Sequence, residues 1–75
     1  MKLSELEAGK KAKVIDVNLN DQIGQRLSNL GLNVGVAVCV IRYAPFGDPI
    51  EITLRNFCLA LRKETAEKIT VLPYE

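Results

Sequence analysis

The stretch Tyr43-Ala44-Pro45-Phe46-Gly47-Asp48-Pro49-Ile50 constrains the fold of this chain more than any other. It separates two apolar runs of strand character, Val36 to Tyr43 and Ile50 to Leu54. Pro45 and Pro49 each fix φ and lack an N–H, and Gly47 between them permits φ > 0, so this backbone cannot continue a strand ladder. A plain hairpin needs only a two-residue turn. This connection is longer and stiffer, and it carries an apolar ring, Phe46. Two roles fit it. A rigid tip with an exposed aromatic loses little entropy on docking to another surface. A ring folded back onto the core would instead make the segment a structural turn.

The remaining pattern is mainly β. Ser4-Glu5-Leu6-Glu7 has the form of a capping box, with Ser4 covering the first N–H groups of a helical turn and Glu7 reaching back to the Ser4 N–H. Gly9 follows as a stop. Lys11 to Val17 reads as a strand with Val14 on one face and Ile15 and Val17 on the other, which leaves its inward face open. Asn18 to Asp21 ends in helix-capping residues. Gln22 to Leu30 then sets Ile23, Leu27 and Leu30 at helical spacing. Gly31 suits the left-handed residue of a Schellman ending, which would fold Leu32 back on Leu27. So short a helix is unstable alone and must cover the end or side of a sheet, with Gln25 and Arg26 on its open side.

Further along, Val36, Val38 and Val40 face one way and Ala37, Cys39 and Ile41 the other, the pattern of a strand buried on both faces or passing between sheets. Ile50, Ile52 and Leu54 alternate with Glu51, Thr53 and Arg55, the half-buried pattern. After a turn at Arg55-Asn56, Phe57, Leu59 and Leu61 alternate with Cys58, Ala60 and Arg62. Lys63 to Lys68 favours one helical turn with Ala66 inward. Ile69 to Leu72 is a last strand, ended by Pro73. Five short strands in 75 residues bury their faces best by curling into a partly open barrel, with the helix plugging one opening. The limited core implies a stability of ~4–11 kcal/mol.

Composition narrows the chemistry. With 48% apolar and 25% charged residues the chain is a folded globule rather than a disordered tail. A net charge of +1 lacks the footprint of a nucleic-acid binder, although Arg42, Arg55 and Arg62 form a modest basic strip. No apolar run reaches the length of a membrane span and Met1 to Glu5 has no signal-peptide core, so a cytoplasmic location without membrane insertion is expected. The chain has no histidine, the commonest general base and metal ligand. Ser4, Ser28, Thr53, Thr65 and Thr70 have no base to activate them, and no Gly-rich phosphate loop is present. We therefore expect no enzyme, no cofactor and no dedicated iron site. The acids Glu5, Glu7, Asp16, Asp21, Asp48, Glu51, Glu64, Glu67 and Glu75 are scattered. Cys39 and Cys58 read as reduced, small apolar residues of strands.

Several segments in this order resemble the FeoA family, small cytoplasmic accessory proteins of bacterial ferrous iron uptake. They are Leu3-Ser4-Glu5-Leu6 with Gly9, Arg26-Leu27 with Leu30-Gly31-Leu32, Gly35, the Pro-Phe-Gly-Asp-Pro loop at Pro45 to Pro49, Ala60-Leu61-Arg62-Lys63, and Ala66 to Val71. The resemblance covers nearly the whole chain. It implies a single domain over residues 1–75, an SH3-like, partly open five-stranded barrel with one short α-helix and one or two single helical turns. It also implies a partner, the cytosolic domain of a FeoB-like membrane GTPase permease for Fe²⁺, to which the GTPase activity would belong. Cys39 and Cys58 depart from the pattern. The expected function is a non-enzymatic module that docks on this permease and modulates it. The candidate contacts are Arg26, Pro45, Phe46, Gly47, Asp48 and Pro49. The alternative is a regulatory domain that binds a transition metal ion directly. Exposed cysteines with converging sulfurs would favour that sensor, and buried ones the docking module.

Overall fold

The computed structural model describes residues 1–74. A 3₁₀ turn, Leu3–Glu5, precedes β1 (Lys11–Val17), α1 (Gln22–Asn29), β2 (Ala37–Tyr43), β3 (Ile50–Leu54), β4 (Phe57–Leu61), α2 (Lys63–Ala66) and β5 (Ile69–Pro73). The strands form one open antiparallel sheet in the order β4-β3-β2-β1-β5. Its inner face carries Ala12, Val14, Val38, Val40, Ile50, Ile52, Leu54, Leu61, Ile69 and Val71, all buried in one cluster. Leu3 and Leu6, Leu27 and Leu32, and Ala66 complete that cluster from outside the sheet.

Two bulges decide which apolar residues enter the core. The register shifts between Val14 and Asp16 in β1 and between Val40 and Arg42 in β2. The residues at these shifts, Ile15 and Ile41, are exposed. An extra residue in one strand is left unpaired and re-aims its neighbours. Val14 therefore faces inward. The strand expected to be buried on both faces is buried on one: Ala37 and Ile41 are exposed and Cys39 is half-buried, because the outer face of this antiparallel sheet meets solvent.

The N-terminal turn begins earlier than the capping pattern predicts. The Glu5 carboxylate accepts the Lys2 N–H at 2.8 Å, so Glu5 plays the part expected of Glu7 and Ser4 is not the cap. A turn starting at Leu3 lets Leu3 and Leu6 both enter the core, and this outweighs the better cap at Ser4. Tyr43 holds the turn from the far end of β2, its hydroxyl donating towards the Leu6 and Ser4 carbonyl oxygens.

Helix α1 starts and stops as its sequence dictates. The Asp21 carboxylate accepts the Gly24 N–H at 3.1 Å. The Schellman pair is complete, with Leu32 N–H to the Leu27 carbonyl at 2.9 Å and Gly31 N–H to that of Ser28 at 3.0 Å. Its buried face differs from the predicted stripe. Leu27 is 5% exposed, but Ile23 is 50% exposed and Leu30 is also exposed. The reason is Gly24: a Cβ there would lie 2.4 Å from the Leu19 carbonyl oxygen. The helix seats by backbone contact at Gly24 and by Leu27 three residues on, which turns Ile23 and Leu30 outward.

Candidate functional site

The loop from Ala44 to Pro49 is built as a braced tip. Gly47 N–H bonds to the Ala44 carbonyl at 2.7 Å, closing a turn with Pro45 and Phe46 at its centre. Proline at the second position and glycine at the fourth are the residues such a turn favours. Below it, Ala44 N–H bonds to the Pro49 carbonyl at 3.1 Å. Asp48 reaches sideways, one carboxylate oxygen accepting the Lys63 N–H at 3.0 Å and the other lying 3.8 Å from Arg62 Nη1. Asp48 thereby ties the loop to the first turn of α2. Phe46 stands 98% exposed on this frame, so its ring does not fold back onto the core.

Arg26, the other predicted contact, lies on the last turn of α1. It lines a groove of about 300 Å³ between α1 and β4 together with Ile23, Leu27, Leu30, Leu59 and Arg62. Arg62 also lines the concavity next to Asp48. Arg26 and Asp48 are thus connected through Arg62, a residue of the basic strip that is not among the contacts expected from the sequence. The helical spacing of Ile23, Leu27 and Leu30 predicts one buried stripe and so hides this groove. A glycine inside an eight-residue helix was the available signal, since it marks a close backbone approach that can rotate the buried face.

The alternation that groups Phe57 with Leu59 and Leu61 needs correcting at this end of the sheet, because Phe57 is exposed, and Cys58 beside it is exposed as well. β4 is the last strand of the sheet, so only its Leu61 end is fully covered. Cys39 and Cys58 both register against Thr53, one from either side, on the outer face. With Thr53 between them their Cα atoms are about 9.5 Å apart, two strand spacings, beyond the reach of a disulfide. The sulfurs therefore neither converge at the surface nor pack inside. Among the described residues no three Cys, Asp or Glu side chains are grouped to hold a metal ion. Glu75 lies outside the described residues. Desolvation on burial raises the pKa of the Tyr43 phenol above its ordinary value.

The FeoA domain model matches residues 1–73. The chain belongs to the FeoA domain family. The FeoA protein of Chlorobium tepidum, solved by NMR, is 44% identical, with a TM-score of 0.95 over 100% of this chain and 71% of that one. The FeoA of Stenotrophomonas maltophilia, described as a prokaryotic SH3 domain protein and solved in complex with zinc, is 33% identical. Its TM-score is 0.83 over 95% of this chain and 88% of its own. The chain shares the fold of these FeoA proteins, an SH3-like domain. A Porphyromonas gingivalis relative, an Fe(2+) transport protein A/Fe(2+) transporter FeoB fusion, is 32% identical over 95% of this chain, which spans 8% of the fusion's length. No helix among the described residues is long and apolar enough to cross a membrane.

Proposed function

We propose that this chain is a non-enzymatic, cytoplasmic accessory module of ferrous iron uptake, acting as one domain over residues 1–75. It docks on the cytosolic domain of a FeoB-type GTPase permease and modulates it. The observation that carries this reading is Phe46, an aromatic ring held almost fully in solvent by a turn braced on both sides. Pro45, Gly47 and Pro49 set the shape of the tip, Asp48 anchors it to α2, and Arg26 offers a cation on the neighbouring helix. The P. gingivalis fusion supports the choice of partner, because one chain there carries both functions.

The test is Phe46→Ala. An exposed position should shift stability by less than ~0.5 kcal/mol. Titration against the isolated cytosolic domain of the permease should show binding weakened by ~1–2 kcal/mol, as for an interface anchor. A variant that melts like the parent and binds as tightly would remove Phe46 from the interface and refute this reading. The metal-sensor alternative requires converging donors, and Cys39 and Cys58 lie on either side of the strand that holds Thr53.

A further inference from the structure

We infer that the free edge of β4 is a strand-addition site for an extended peptide of a partner protein, one that alternates aliphatic with acidic residues. This goes beyond docking through Phe46, and either can fail without the other. Three observations carry it. First, β4 pairs on one side only, with β3, and among the described residues no backbone group of Phe57–Leu61 bonds to any other element. An unpaired strand edge is a template for another chain. Second, this edge is apolar throughout, Phe57-Cys58-Leu59-Ala60-Leu61, and borders the groove that Ile23, Leu27 and Leu30 line from the helix side. Alternate side chains of an added strand would enter that groove. Third, the groove's charged lining is cationic, Arg26 and Arg62, with no carboxylate.

The charges also argue against a second copy of this chain as the occupant. An antiparallel pairing of β4 with itself would bring Arg62 towards Arg55 of the other copy. Like charges at both ends of such a pairing are destabilising. Arg55 is held in place there, because its side chain packs over Gly31, where a Cβ would lie 3.0 Å from its Nε. Arg62 thus discourages self-pairing and, with Arg26, attracts a carboxylate-bearing strand.

The probe is a capped eight-residue synthetic peptide of alternating valine and glutamate, followed by amide NMR shifts of the full chain. Saturable shifts are expected over Phe57–Leu61 and on Ile23 and Leu30. A peptide with lysine in place of glutamate should bind about tenfold more weakly, the scale of two surface ion pairs. N-methylation of the peptide amides that face β4 should abolish binding. The double variant Arg26→Glu/Arg62→Glu, altered only at exposed positions, should reverse the preference between the two peptides. The inference is overturned by shifts that avoid β4, by an N-methylated peptide that binds equally well, or by a preference the double variant leaves unchanged. Sedimentation that shows β4-dependent dimers forming more readily than the peptide complex would overturn it as well.

Discussion

The two edges of this sheet are treated in opposite ways. At the β5 edge the chain covers itself. Lys2 forms a bridge with Thr70, Val71 N–H bonds to the Met1 carbonyl at 2.7 Å, and the terminal amine donates to the Val71 carbonyl at 3.0 Å. Leu3 and Leu6 anchor that cover in the core, and Tyr43 fastens it from β2. At the β4 edge nothing among the described residues pairs with the side of the strand away from β3, and α1 stands beside it with two aliphatic side chains turned outward. A small domain with little surface to spare satisfies the backbone wherever a short segment can reach it. An edge left open and lined with cations is therefore the side on which a partner is expected. The braced loop with Phe46 is joined to this side through Asp48 and Arg62.

The comparison can be broken most severely at Leu27. It is the buried anchor of α1, so Leu27→Ala should cost ~2–4 kcal/mol, a large share of the stability of so small a domain. A denaturant midpoint that hardly moves would show that the helix wall of the groove is not fixed to the core. On the covered side, Tyr43→Phe should cost about 1 kcal/mol, since the Leu6 and Ser4 carbonyls lose their donor. The phenol also links this contact to pH. Burial raises the folded-state pKa of Tyr43, so its contribution is fully present below the ordinary value of 10.0. It is lost as pH rises above that value and through the folded pKa. Alkaline unfolding should accordingly be shallower in Tyr43→Phe than in the parent over that window, and identical alkaline curves would dismiss the link. A smaller effect belongs to the loop. Asp48→Ala removes the acceptor for the Lys63 N–H and should cost ~0.5–1 kcal/mol, the scale of an exposed helix-start contact. Partner binding should weaken more than stability does, because the tip loses its brace. Equal losses in both would make Asp48 merely structural.

Much of this architecture was legible because local rules decided it. Asp21, Gly31 and Leu32 fixed both ends of α1, and alternation fixed the inward set of β3. The failures share a cause. Periodicity says which residues are alike, not which element lies beside them. Val36 to Ile41 looked buried on both faces because a bulge at Ile41 and a solvent-facing sheet are facts of pairing. Phe57 departs from its alternation with Leu59 and Leu61 because an edge strand reads like a central one until the strand order is known. Ile23 and Leu30 went astray because a helix seated by glycine contact buries a different stripe. The loop was easier, since proline and glycine act on their own backbone. Its bond to α2 through Asp48 spans 15 residues and left no local trace.

The most direct measurement is a map of backbone amide shifts as the cytosolic domain of a FeoB-type permease is titrated into the isotope-labelled chain. The account predicts that the largest changes fall on Phe46 and Gly47, on Arg62 and β4, and on the Arg26 turn of α1. Lys2, Thr70 and Val71 should stay still. Changes concentrated on the N-terminal segment and β5, with Phe46 and β4 silent, would contradict it.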